Sequence, residues 1–101
     1  MLKVFKDNSI EIHKWDAFSL MCHTDAEIEN VEQLVFYLLD ESNKIILEKH
    51  AKRYENGVFF VFNSEETNIH PNVYNYVIKY IIDDTNGTTI HNNSLKVRQS
   101  V

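Results

Sequence analysis

At 101 residues the chain has room for one domain, residues 1–101, because two halves of that size would each bury too little apolar surface to hold together. Its 44% hydrophobic and 25% charged residues suit a globular domain and exclude both a disordered acidic tail and a bundle of bilayer-spanning helices. Ten basic residues against fifteen acidic ones, a net charge of −5, oppose a surface built to grip phosphate backbones, so no nucleic-acid partner is expected. A single cysteine, Cys22, excludes an internal disulfide framework and a cysteine-based zinc module. Residues 1–20 lack a basic stretch leading into an apolar run, and no apolar run approaches the length of a membrane span. The chain therefore reads as a natural small open reading frame or a complete terminal module, made in the cytoplasm and in contact with no membrane.

Taken in chain order, period two dominates. Strands are predicted near 2–6, 9–14, 17–24, 33–39, 44–50, 57–62, 73–83 and 88–100, the last broken around 92–94. Both glycines sit in Asn-Gly pairs, Asn56-Gly57 and Asn86-Gly87, which supply the positive φ angles of tight hairpins. The polar stretch from Asp40 to Lys44 is a third turn, and 24–32 is the longest acidic connection. Only Asn63–Ile69 interrupts the pattern, with Ser64 placed to cap one helical turn before Pro71. Seven to eight short strands with turns every eight to twelve residues predict an all-β antiparallel sandwich, with a partly open barrel as the alternative.

Parity assigns the faces. Lys79 and Asn75 must face outward, which turns Tyr74, Tyr76, Ile78, Tyr80 and Ile82 inward and leaves Val73, Val77 and Ile81 outside. By the same rule Val58, Phe60 and Phe62 point in while Phe59 and Val61 point out. Leu34, Phe36 and Leu38 point in while Val35, Tyr37 and Leu39 point out. Phe18, Leu20 and Cys22 form another inward set, as do Leu95, Val97 and Val101. The outward set is richer in apolar residues than a free surface requires, and six of them, Val35, Tyr37, Phe59, Val61, Val77 and Ile81, form the candidate interface.

Chemistry-bearing residues do not assemble into a motif. His13, His23, His50, His70 and His91 lack ligand spacing, so no metal is expected. Cys22 has the parity of a buried small hydrophobe rather than a nucleophile. Glu65-Glu66 and Asp83-Asp84 adjoin turns, where solvated carboxylates are ordinary, and no glycine-rich phosphate loop exists. The expectation is a protein that is not an enzyme, holds no cofactor and takes no small-molecule substrate.

The second half carries an ordered pattern: Asn56-Gly57-Val58-Phe59-Phe60-Val61-Phe62, then Ser64-Glu65-Glu66-Thr67, Tyr74-Asn75-Tyr76-Val77-Ile78-Lys79-Tyr80, Asp84-Thr85-Asn86-Gly87-Thr88 and Leu95-Lys96-Val97. Ile10-Glu11-Ile12, Lys14-Trp15-Asp16 and Phe18-Ser19-Leu20 extend it more loosely, so that it covers roughly 9–101. This resembles the immunoglobulin-like N-terminal domain of upper baseplate proteins in tailed phages of Gram-positive bacteria. The family usually has glycine where this chain has Trp15, Asn72 and Asn93; asparagine tolerates the left-handed region that such turns use, and tryptophan does not. The resemblance implies an immunoglobulin-like sandwich and a virion structural protein of a phage or prophage tail, baseplate or neck. Such a protein is assembled in the bacterial host cytoplasm, docks onto other virion proteins or copies of itself, and has no catalytic residues to carry over. Two rivals remain: a carbohydrate- or receptor-binding module using Trp15 and Tyr54, and an acidic intracellular inhibitor.

Overall fold

The computed structural model describes residues 2–22, 30–83 and 86–99, and strands account for most of them. In chain order these are β1 (Lys3–Val4), β2 (Ile10–His13), β3 (Phe18–Met21), β4 (Leu34–Leu39), β5 (Ile45–His50), β6 (Lys52–Tyr54), β7 (Gly57–Phe62), β8 (Asn72–Ile81) and β9 (Gly87–Arg98). They form a six-stranded sheet in the order β1-β2-β9-β8-β4-β5 and a three-stranded sheet in the order β3-β7-β6. The two sheets pack face to face as an all-β sandwich.

Alternation along the strands builds the core between them. Phe36 lies at its centre, stacked on Tyr76 at 5.4 Å and edge-on to Phe62 at 5.1 Å, and Phe18 stacks on Phe62 at 4.7 Å. Leu34, Phe36, Leu38, Phe60, Phe62, Tyr74, Tyr76, Ile78, Leu95 and Val97 are buried in one cluster with Ile10, Ile12, Leu20 and Cys22. Each such side chain removed from water contributes about 1.5–3 kcal/mol. Val58, Phe18 and Tyr80 pack against the cluster from its margin. Ile82 does not: it lies past the end of β8 and is 57% exposed, because the strand stops at Ile81 and parity carries no meaning beyond it.

Several elements differ from the sequence expectation. β2 pairs parallel to β9, with Ile10 opposite Leu95 and His13 opposite Arg98, an arrangement no short turn signals. β6 was absent from the predicted strands; its residues, Lys52-Arg53-Tyr54, carry no apolar alternation. β9 runs unbroken through Asn92-Asn93-Ser94, and the irregularity in its ladder falls instead between Ile78 and Lys79, beside Ile90. The β6–β7 hairpin places a positive φ only on Gly57, at +139°. Between β8 and β9 the Ile82 N–H donates to the Asn86 carbonyl at 2.9 Å, and Asp83 Oδ1 accepts from the Asn86 backbone N–H, also at 2.9 Å. The β4–β5 turn uses the same device, with Asp40 Oδ1 accepting from Ser42 and Lys44 and Asn43 at φ +61°. His23, the acidic positions 24–29, Asp84, Thr85, Ser100 and Val101 lie outside the described residues.

The helical turn before Pro71 forms, capped by Asn63 rather than Ser64. Asn63 Oδ1 accepts from the Glu66 N–H at 2.8 Å while Glu66 Oε1 accepts from the Asn63 N–H at 2.9 Å, a reciprocal capping box. Inside this turn Thr67 is 1% exposed and donates its hydroxyl to the Asp16 carbonyl at 2.6 Å, tying the β7–β8 connection to the β2–β3 turn. That second turn reverses the expectation from the glycine positions. Asn72 and Asn93 are ordinary strand residues, whereas Trp15 holds φ +73° with its ring half exposed. A bulky residue in the left-handed region stores about 1–3 kcal/mol of strain, held here by the Trp15 N–H bonding the Thr67 carbonyl and by the Asp16 carboxylate accepting from the His13 N–H.

Candidate functional surfaces

The six interface candidates do not share a face. Val35, Tyr37, Val77 and Ile81 stand on the outer side of the six-stranded sheet, while Phe59 and Val61 stand on the outer side of the three-stranded sheet, at the opposite surface of the sandwich. Strand parity sorted inside from outside for these positions. It could not say which outside, because that depends on the sheet to which each strand belongs.

On the six-stranded sheet the outer face is largely closed already. Val35 is 2% exposed and Val77 9%, although neither belongs to the inter-sheet core. Lys79 and His50 lie directly across from Val35, and Asn92 and Tyr37 across from Val77, so long neighbours flank both valines in the central strands. Both valines were interface candidates, and here they are covered by neighbours within their own sheet. Tyr37 and Ile81 are half-buried. Burial, with Glu48 opposite, pushes the Tyr37 phenol up from its ordinary value, so it stays a neutral hydroxyl.

The outer face of the three-stranded sheet is different. Met21 lies across from Phe59, Ser19 from Val61, Lys52 from Phe59 and Tyr54 from Gly57. Met21 and Val61 are each 41% exposed and Tyr54 44%, with Phe59 half-buried between them. Tyr54 meets the Phe59 ring edge-on at 5.9 Å. Gly57 borders this packing, and its φ of +139° rather than lack of space calls for glycine, since a Cβ there would stand at ordinary contact distances, 3.4 Å from the Phe59 ring and 3.6 Å from the Met21 methyl. The result is one contiguous apolar row, Met21-Phe59-Val61 with Tyr54, flanked by Lys52. Met21 and Tyr54 were not among the interface candidates; the Asn56-Gly57 signal, which demands a strand on each side, would have recruited Tyr54.

Two concave features flank this sheet. Between the sheets, beside β3, lies an apolar cleft of about 380 Å³ floored by Ile10, Leu20, Cys22, Tyr76 and Ile78, with Leu2 and Val4 on one wall and Asn8, Ser19 and His91 as its polar groups. Cys22 is 7% exposed, and burial raises its thiol above the ordinary range. Burial, then the Asp7 carboxylate, likewise raises the Tyr76 phenol, which donates to the Asn8 carbonyl. At the β5–β6 corner a smaller hollow of about 260 Å³ is lined by Lys49, Lys52, Tyr54, Asn63 and Glu66. There Lys49 Nζ donates to Glu66 Oε2 at 2.7 Å. Burial raises the Glu66 carboxyl, but the Lys49 ammonium and the Asn63 N–H outweigh it and hold the group below its ordinary value.

Of the histidines, His13 sits 4.0 Å from Asp16 and His50 donates from Nδ1 to the Glu32 carbonyl at 2.9 Å. Among the described residues no three His, Cys, Asp or Glu side chains come together in a metal-holding group, and no helix is long and apolar enough to cross a membrane. No family model and no curated protein matches the chain.

Proposed function

We propose that this chain is a non-enzymatic docking module that works through the outer face of its three-stranded sheet, as a structural protein of a phage or prophage tail, baseplate or neck. The observation that carries the docking part is the exposed row Met21-Phe59-Val61 with Tyr54, three strands wide and contiguous, on a face rimmed by Ser19 and Lys52. An apolar row of this kind, with aromatic residues at its centre, has the composition of an interface core. Phe59 is the anchor and Tyr54 its amphipathic neighbour. The virion part rests on the order of motifs from Asn56 to Val97 that resembles upper baseplate N-terminal domains.

An immunoglobulin-like topology belongs to the same proposal. Its support is the strand order, three strands facing a sheet centred on β4, β8 and β9, together with Tyr74. That residue lies near the start of β8 and donates its hydroxyl back to the His70 carbonyl, the arrangement of a tyrosine corner. Many unrelated functions share such sandwiches, so the docking row rather than the fold carries the functional reading.

The test is mass spectrometry of purified tailed particles from cells expressing either the wild-type chain or a Phe59→Glu, Val61→Lys double variant. The wild type is expected to co-purify with particles; the variant, folded by circular dichroism, is expected to be lost from them. Particles that never contain the wild-type chain would sink the virion reading, and equal recovery of the variant would sink the docking row. The hollow beside Tyr54 favours one second reading, a saccharide site in which the ring stacks on a sugar face and Lys49, Lys52 and Asn63 bond its hydroxyls or a carboxylate. Glycan-array binding abolished by Tyr54→Ala, with self-association and particle recovery unchanged, would favour it.

A further inference from the structure

We infer that the free edge of β3 and the cleft beside it form a second docking site, which takes an extended segment of a partner polypeptide by strand addition. The inference concerns the seam between the sheets rather than an outer face, although Met21 and Phe59 of the docking row also border the cleft.

Among the described residues the sandwich leaves four edge strands, β1 and β5 on the large sheet and β3 and β6 on the small one. Edges are ordinarily protected from foreign strands by charge. Here β1 carries Lys3, β5 carries Glu48 and Lys49, and β6 carries Lys52 and Arg53, whereas β3 is Phe18-Ser19-Leu20-Met21 with no charged side chain. The direction of its backbone groups follows from one hydrogen bond. The Cys22 N–H donates to the Val58 carbonyl at 2.9 Å, and antiparallel pairing alternates, so Phe18, Leu20 and Cys22 turn their N–H and C=O groups toward β7. Ser19 and Met21 turn theirs away from it, toward the open edge.

That edge borders the cleft of about 380 Å³, within the range of concave ligand sites. Among the described residues its lining contains no carboxylate and no ammonium group, so it selects an uncharged occupant. The backbone groups of Ser19 and Met21 select an extended polypeptide. Leu20 and Cys22 point into the cleft, so a strand laid on β3 would drop every second side chain over them, toward Tyr76 and Ile78. The partner chemistry is thus an extended segment with medium-sized apolar residues at alternate positions and no acidic residue, since the chain itself carries a net charge of −5.

The experiment uses a capped peptide of alternating valine and threonine flanked by lysines, titrated into the full chain with nitrogen-15 NMR detection. Saturable binding at sub-millimolar peptide is expected, with the largest shifts at Ser19–Cys22. Ser19→Pro removes an outward N–H without touching a β3–β7 bond and is expected to weaken binding by about tenfold, the equivalent of one net hydrogen bond. The same peptide N-methylated at its threonines blocks pairing with no change to the protein, and so tests the idea even if the proline variant fails to fold. Binding that survives N-methylation, that is matched by an all-threonine peptide, or that shifts β5 and β6 instead would overturn the inference, as would no binding at all.

Discussion

Removing the Thr67 hydroxyl tests the contact that joins the two loops at the base of the sandwich. Thr67→Val keeps the shape of a side chain that is 1% exposed and deletes only the Oγ1–H that bonds the Asp16 carbonyl at 2.6 Å. The carbonyl is left without that donor in a site with little access to water, so the loss exceeds the net worth of one hydrogen bond. An unsatisfied buried acceptor costs about 1–3 kcal/mol. In a domain near one hundred residues each kcal/mol moves the melting temperature by about 4–8 °C, so a fall of about 5–20 °C is expected. Thr67→Ser keeps the hydroxyl and loses one buried methyl, about 0.8 kcal/mol, and should lie between wild type and Thr67→Val. Urea unfolding followed by Trp15 fluorescence reads this directly, because the only tryptophan sits in the turn that Thr67 holds. Thr67→Val as stable as Thr67→Ser would refute the reasoning, since methyl packing and not the hydroxyl would then secure the loop.

Cys22 should resist a bulky thiol reagent in the native state, and Cys22→Ser should destabilise by about 1–3 kcal/mol through an added hydroxyl in an apolar site; rapid labelling of folded protein would show the β3 register to be off by one. The Glu66 carboxyl is held below its ordinary value, so its contribution is complete above that value and is lost as pH falls through the folded pKa. Urea midpoints should therefore drop on acidification below about pH 4.5, with a shallower drop in Glu66→Gln, and identical acid limbs in the two proteins would contradict the Lys49 pairing. Val35→Lys should destabilise by about 2 kcal/mol or more, whereas Val61→Lys should leave stability within about 0.5 kcal/mol; thermal melts that rank the two the other way would reverse the burial assigned to the two outer faces.

Local features were legible in the chain alone. Strand parity placed Phe36, Phe60, Tyr76 and Leu95 inside, because a period of two maps directly onto two sides of any strand. Turn chemistry marked the hairpins after β4, β6 and β8, since Asp, Asn and Gly act within a few residues of themselves. Features that depend on partners far apart in the chain emerge with the packed sheets. β2 lies parallel to β9, so Ile10 meets Leu95 across a separation that no local signal spans. β6, charged and without alternation, is a strand because β7 offers it a ladder. Val35 and Phe59 share the same outward parity, yet one is sealed between long neighbours in a central strand and the other lies in an open apolar row. That difference belongs to the sheets, and a side chain's own sequence neighbours carry no record of which strand will lie beside it.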